Sequence, residues 1–223
     1  MSMKKPKLHA EKVETLLKTK YICVTDLKYD TIEHYYNVSR RAPENIVALQ
    51  SDEEFLAMRP DAVTCIVIVR VRGGEARLLL TKEFRYPAGQ FLLSPPAGLM
   101  DPADRKEPVP QIATAVREIR EETGLSLKES DRIFVVNPLL FSSPGLTDEN
   151  NALVCAVADI DDVSVFNSRG EESTELIGDY TLYSREEALR IFRQGKDDNG
   201  IFYSVYTWAA LLYFVSGLWE EEL

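Results

Sequence analysis

Arg117, Glu118, Ile119, Arg120, Glu121, Glu122, Thr123, Gly124 and Leu125 follow one another without a break. They close a segment of helical periodicity in which Ile112, Ala115, Val116, Ile119 and Thr123 fall on one stripe expected to be buried. Pro108 and Pro110 stand ahead of this helix, and Gly124 is suited to end it in the left-handed conformation. Glu118 and Glu122 share a face, with Glu121 close beside them. Carboxylates crowded at a helix C-terminus oppose the helix dipole and repel one another, each effect costing roughly a few tenths of a kcal/mol or more. Nothing in local folding asks for this arrangement. A divalent cation would account for it, because Mg²⁺ and Mn²⁺ take hard oxygen ligands. The competing reading is a solvated acidic face offset by Arg117 and Arg120.

Two other acidic runs serve as controls. Glu186 and Glu187 follow Ser184, and Ser-Arg-Glu-Glu is a capping box at a helix start, where negative charge is favoured. Glu220, Glu221 and Glu222 read as a solvated tail. Only the 118–122 cluster lacks a local reason.

Upstream, the apolar run Phe91-Leu92-Leu93 ends in the turn-rich stretch Ser94-Pro95-Pro96-Ala97-Gly98-Leu99-Met100-Asp101. A glycine there lets backbone approach a helix or ligand closely. PPAGLMD followed by REIREETGL resembles the signature of the Nudix hydrolases, G-x5-E-x7-R-E-U-x-E-E-x-G-U with U a bulky aliphatic residue. Gly98 matches the first glycine, and Arg117 to Leu125 match the whole second half. The first half departs, because Gly98 and Arg117 are five residues further apart than the pattern sets. The position eight before Arg117 is Val109 rather than Glu. Asp104 and Glu107 are the candidates to stand in, the alternative being a loop that is simply enlarged.

Within that family, Thr81-Lys82-Glu83-Phe84-Arg85-Tyr86-Pro87 and Ser143-Pro144-Gly145-Leu146-Thr147-Asp148-Glu149 resemble segments of ADP-ribose pyrophosphatases, as does the aromatic-x-x-V-x-R pattern from Tyr35 to Arg40. A further departure is local: Ser94-Pro95 replaces the Glu that many members carry two residues before the Pro-Ala-Gly turn. The resemblance implies an α+β fold, an α/β/α sandwich with a small N-terminal β-rich region. It implies metal-dependent cleavage of a nucleoside diphosphate sugar, foremost ADP-ribose to AMP and ribose 5-phosphate. Glu118, Glu121 and Glu122, with the Ala97 carbonyl, would hold Mg²⁺ or Mn²⁺, and Arg117 would orient the glutamates through ion pairs. Glu121 and Glu122 would take part in catalysis. A general base would come from the later loop Ser168–Glu175, with Glu175 favoured over Glu171 and Glu172 because it directly precedes the closing strand. Tyr35 would stack on the nucleoside end, and Arg40 and Arg85 would bind phosphate or ribose. The resemblance also implies a homodimer in which the N-terminal part crosses to a second subunit. Other nucleoside diphosphate derivatives, or a ligand-binding module without catalysis, remain as alternatives.

Composition agrees with an ordinary soluble enzyme. The 223 residues can hold one large core and a smaller appendage, with 45% hydrophobic and 28% charged residues. The net charge of −10 and the lack of a basic stripe argue against nucleic acid as main partner. An acidic chain handling an anionic phosphate needs a cation between the two. Cys23, Cys65 and Cys155 lie apart in apolar runs, as buried thiols in a reducing, cytoplasmic setting would. The start MSMKKPKLH has no apolar core for a signal peptide. The apolar stretch 201–219 carries enough Tyr, Ser and Thr to read as a packed helix rather than a membrane span.

These residues need a frame. The periodicity predicts a helix over 8–19, then strands over 21–27 and 33–40 joined by Lys28-Tyr29-Asp30 as a hairpin. Strands follow at Ile46–Leu49, at the β-branched run 62–72, and after Gly73-Gly74 at 76–81. Further strands are expected at 133–136, 152–160 and 182–183, with helices at 185–194 and 201–219. The chain divides into an N-terminal region, 1–58, and a main domain, 59–223.

Overall fold

The computed structural model describes residues 4–166 and 180–221. Glu171, Glu172 and Glu175 lie outside the described residues. The chain forms two compact units. One comprises residues 1–61 and 139–151, the other 62–138 and 152–223. The N-terminal unit thus takes in a segment from the middle of the chain.

The first unit is built on a three-stranded antiparallel sheet of β1 (Val13–Lys18), β2 (Cys23–Leu27) and β3 (Tyr36–Ser39), in that order. The predicted pairing of the second and third strands holds, in the register Cys23 with Ser39 and Asp26 with Tyr36. The helix expected over 8–19 does not form. A single 3-10 turn, Ala10–Lys12, leads into β1. Leu16 and Leu17 are each half exposed, so no apolar surface meets a helical stripe there, and β1 instead satisfies its backbone against β2. Ile46–Leu49 is not a strand either. Pro43–Asn45 and Val47–Leu49 are 3-10 turns around the fully buried Ile46, closed by amide-to-carbonyl bonds from Asn45 to Ala42 and from Gln50 to Val47. The short helix α1 (Asp52–Leu56) follows, opened by a capping box between Ser51 and Glu54.

The second unit is a seven-stranded sheet between helices. Its strands are β4 (Ala62–Val71), β5 (Ala76–Arg85), β6 (Gln90–Ser94), β7 (Ala97–Leu99), β8 (Arg132–Phe141), β9 (Asn150–Ile160) and β10 (Thr181–Tyr183), the end of β8 from Leu139 and the first two residues of β9 being counted with the first unit. The order is β10-β5-β4-β9-β8, with β6 on β5 and β7 on β4. The helices are α2 (Pro110–Thr123), α3 (Arg185–Gln194) and α4 (Val205–Ser216). Alternation along β4 and β9 sorts the core into two layers. Val63, Cys65, Val67 and Val69, with Ala152, Val154 and Ala156, pack with Ala115 and Ile119 of α2. Ile66, Ile68, Cys155 and Val157 point the other way and pack with Ile191 of α3 and Leu211 and Phe214 of α4. A strand buried on both faces reads as a continuous apolar run, as 62–69 does. The expected α/β/α sandwich is the observed architecture.

The predicted capping box at Ser184 forms: its hydroxyl accepts from the Glu187 amide, and Glu187 accepts from the Ser184 amide. No helix among the described residues is long and apolar enough to cross a membrane.

Candidate active site

Helix α2 starts at Pro110, where a missing N–H costs nothing, and stops at Gly124, whose φ of 79° is the left-handed cap. Its buried positions are Thr114, Ala115, Glu118, Ile119 and Thr123. Val116, expected in the stripe, is 40% exposed, because the buried face centres on Ala115 and Ile119 and leaves Val116 to one side. The position that joins the buried face instead is a carboxylate, Glu118, only 8% exposed.

Room for that carboxylate comes from Gly98. The expected turn around it is in fact strand β7, paired with β4 as Ala62 with Leu99, Val63 with Gly98 and Thr64 with Ala97. A Cβ added at Gly98 would fall on the Glu118 carboxylate. The neighbouring Ala97 amide donates to Glu122 Oε1 at 3.1 Å. Two successive β7 residues therefore receive two of the three glutamates.

Arg117 binds the rest together. Its Nη1 donates to Glu118 Oε1 at 2.7 Å and to Glu121 Oε2 at 3.0 Å. Its Nη2 donates to the Leu99 carbonyl at 2.9 Å. Nε and Nη2 both donate to Asp104 Oδ2, at 3.2 and 2.9 Å. Asp101 is a looser partner at 3.6 Å. Burial pulls the guanidinium pKa down, but these carboxylates outweigh it and raise it, so Arg117 is permanently charged.

Of the two acids left open for the departing first half of the signature, Asp104 is the one that reaches the helix. It is 7% exposed, in the 3-10 turn Asp104–Lys106. It accepts from Arg117, the Thr114 hydroxyl and the Asp101 amide. Burial pushes its carboxyl up, and those hydrogen bonds more than offset this, holding it below the usual carboxylate range. Glu107 is exposed. The signal was available: counted forward from Gly98, the pattern lands on Asp104, and the extra residues fall between it and α2.

The donor set is one a hard cation would accept: three carboxylates, two of them already drawn to a single positively charged nitrogen. Gly98 makes the space in which the buried one sits. Among the described residues, no group of three or more His, Cys, Asp or Glu side chains stands closed in metal-holding positions. Cys65 lies behind the cluster. Burial, reinforced by Glu122 and Glu118, pushes its thiol well up, so it stays protonated and takes no part as thiolate. All three cysteines are free and buried, as expected.

The other candidates are divided between the units. Arg85 belongs with the glutamates in the second unit and pairs with Glu83 at 2.5 Å. Tyr35 and Arg40 belong to the first. Tyr35 is 41% exposed, donates its hydroxyl to the Gly145 carbonyl at 2.9 Å, and lines a cavity of about 1020 Å³ with Tyr29, Ile32, Phe55 and Leu146. Arg40 is half exposed and lies 3.8 Å from Glu149. Its neighbour Arg41, which the sequence reading passed over, is the better-held one, at 2.6 Å from Asp61 and 3.5 Å from the buried Asp148. Nothing in Arg40-Arg41 as a pair marks which side chain turns inward.

With this geometry in place, comparisons with known proteins are specific. The NUDIX domain family matches residues 58–202. Putative nudix hydrolase 2 of Caenorhabditis elegans is 33% identical over 144 residues, covering 63% of this chain and 59% of that protein. ADP-ribose pyrophosphatase of Saccharomyces cerevisiae is 33% identical over 101 residues, covering 45% of this chain and 40% of that one. ADP-ribose pyrophosphatase of Bacillus subtilis is 25% identical over 136 residues, covering 61% and 64%. In each case the match spans less than two thirds of the relative's own length. A crystal structure of an ADP compounds hydrolase superposes with a TM-score of 0.63 at 18% identity, covering 99% of this chain and 97% of that chain. That likeness is one of fold.

Proposed function

The chain belongs to the NUDIX domain family, and on that premise we propose that it hydrolyses the diphosphate linkage of a nucleoside diphosphate sugar, with ADP-ribose giving AMP and ribose 5-phosphate. The observation that carries this reading is the gathering of Glu118 and Glu121 on one Arg117 nitrogen, with Glu122 latched to the Ala97 amide. The names of the yeast and Bacillus relatives favour ADP-ribose over other diphosphates. The three carboxylates and the Ala97 carbonyl would hold Mg²⁺ or Mn²⁺. When bound, such ions neutralise diphosphate oxygens and lower the pKa of a coordinated water. Arg117 keeps the carboxylates in register, Gly98 leaves Glu118 its place, and Glu175 is the proposed general base. Tyr35 would stack on the base, with Arg40 and Arg85 on phosphate or ribose. The buried free thiols suit a cytoplasmic setting.

The test is a panel of nucleoside diphosphate sugars and dinucleotides with Mg²⁺, products identified by mass. ADP-ribose is expected to yield AMP and ribose 5-phosphate, and excess EDTA to abolish turnover. Undiminished activity in EDTA, or no turnover of any panel member, sinks the reading.

We also propose a homodimer in which Tyr35 and Arg40 serve the partner's site. A Tyr35→Ala chain mixed with a Glu122→Gln chain is then expected to recover activity that neither has alone, because hybrid dimers contain one intact site. Sedimentation as a monomer, or no recovery after subunit exchange, rules this out.

A further inference from the structure

We propose that Asp26 and His34 form a latch that positions Tyr35, the residue read above as the stacking partner of the base. This rests on that reading of Tyr35 and adds two residues that act through it.

Asp26 stands where a carboxylate must find partners. It is 3% exposed on β2, and a buried carboxylate is stable only when paired and hydrogen-bonded. The connection between β2 and β3 supplies those partners. His34 Nδ1 lies 2.6 Å from Asp26 Oδ2, and the Tyr35 amide donates to Oδ1 at 3.2 Å. A carboxylate only accepts, so Nδ1 is the ring nitrogen that carries the proton. The bond from His34 leads in holding the Asp26 carboxyl below the usual carboxylate range, against the pull of burial. Lys28 stands 4.0 Å from Asp26 and is drawn towards Glu14 at 2.7 Å, and Glu33 stands 3.9 Å from His34 Nε2. The strand geometry sets this cluster behind Tyr35. Leu27 and Tyr35 exchange both backbone bonds, at 2.8 and 3.1 Å, and both line the cavity together with Asn37. Alternation along β2 turns Asp26 to the opposite side. Tyr35 is thus held in front, where its hydroxyl reaches the Gly145 carbonyl, and from behind, where its amide is shared between Leu27 and Asp26. Tyr29, Thr31 and Ile32 of the same connection also line the cavity, so releasing His34 from Asp26 would loosen that wall as well. An aromatic ring already ordered before binding loses less on capturing its ligand.

The latch is read without turnover, by hydrogen–deuterium exchange of residues 28–36 in the full chain. His34→Leu is expected to speed exchange there at least about 5-fold, the scale of one lost bond to a charged group. His34→Asn, whose amide keeps a donor near the place of Nδ1, is expected to restore wild-type exchange. The consequence is read by kinetics with ADP-ribose and Mg²⁺. His34→Leu is expected to raise KM roughly 5-fold with kcat nearly unchanged, and His34→Asn to bring KM back. Tyr35→Ala is expected to raise KM at least about 10-fold, as loss of a stacked base does. Because His34 acts through Tyr35, adding His34→Leu to Tyr35→Ala is expected to cost less than about 2-fold more. Wild-type exchange or wild-type KM in His34→Leu, a loss in kcat in place of KM, equal effects of leucine and asparagine, or effects that multiply in the double variant overturn the proposal. Wild-type KM in Tyr35→Ala overturns the stacking reading, and the positioning role with it, whatever the exchange shows, which separates the two failures.

Discussion

Gly98→Ala is expected to lower kcat/KM by roughly 10²-fold while the chain remains folded, because displacing one reacting-site group by about an ångström costs on that order. The new methyl would occupy the place of the Glu118 carboxylate. The backbone cannot retreat, since β7 is paired with β4 at Val63. Glu118 must therefore leave, and it takes with it the 2.7 Å contact to Arg117. Gly145→Ala is the control. Nothing lies within 4 Å of a Cβ built there, and its φ is outside the left-handed region, so a change of about 0.5 kcal/mol or less is expected. Steady-state kinetics at saturating Mg²⁺, together with thermal melts, separate the two effects. A Gly98→Ala chain with wild-type kcat/KM would mean that Glu118 does not need its observed place.

Gly98 also marks where sequence reading succeeds. Its need for close approach was legible because a glycine between an apolar strand and an acidic helix has few other uses. The helix bounds were legible for the same kind of local reason, Pro110 at one end and Gly124 at the other. The expected strands 62–72 and 152–160 were legible as long apolar runs, since both faces are covered, and the second begins two residues earlier, at Asn150. What failed was decided by distant pairing. Val13 to Lys18 has the spacing of a helix, but β2 offers it a ladder and no core offers it a face. Ile46 looks like a strand residue because it is buried, yet Pro43 and local turn bonds set the backbone around it. The Ser51 capping box was readable as Ser-x-x-Glu and was missed because the helix it opens is only five residues long. In the site, the role of Asp104 depended on counting from Gly98 rather than back from Arg117. The inward turn of Arg41 was not readable, because it is fixed by Asp61 and Asp148, far away in the chain.

Glu122→Gln is expected to lower kcat at least about 10²-fold, the scale of removing one preorganised charge from a site. The substitution is informative because it is nearly silent structurally. The Ala97 amide donates to Glu122 Oε1, and a glutamine oxygen can accept the same bond, so β7 and α2 stay joined. The negative charge is lost. If Glu122 is a ligand, raising Mn²⁺ should recover part of the activity, because a weakened site is filled by mass action. Glu175→Gln is expected to behave differently: a loss of about 10²-fold in kcat with KM nearly unchanged, and no recovery with added metal, the pattern of a missing general base. Full recovery of Glu175→Gln by metal would make it a ligand instead. A large loss at Glu171 or Glu172, with Glu175→Gln active, would move the base within the same loop. If none of the three matters, the base lies on α2. Glu121 is then next, since its side chain is 46% exposed and its Oε2 accepts from Arg117, which leaves it the glutamate best placed to reach a water.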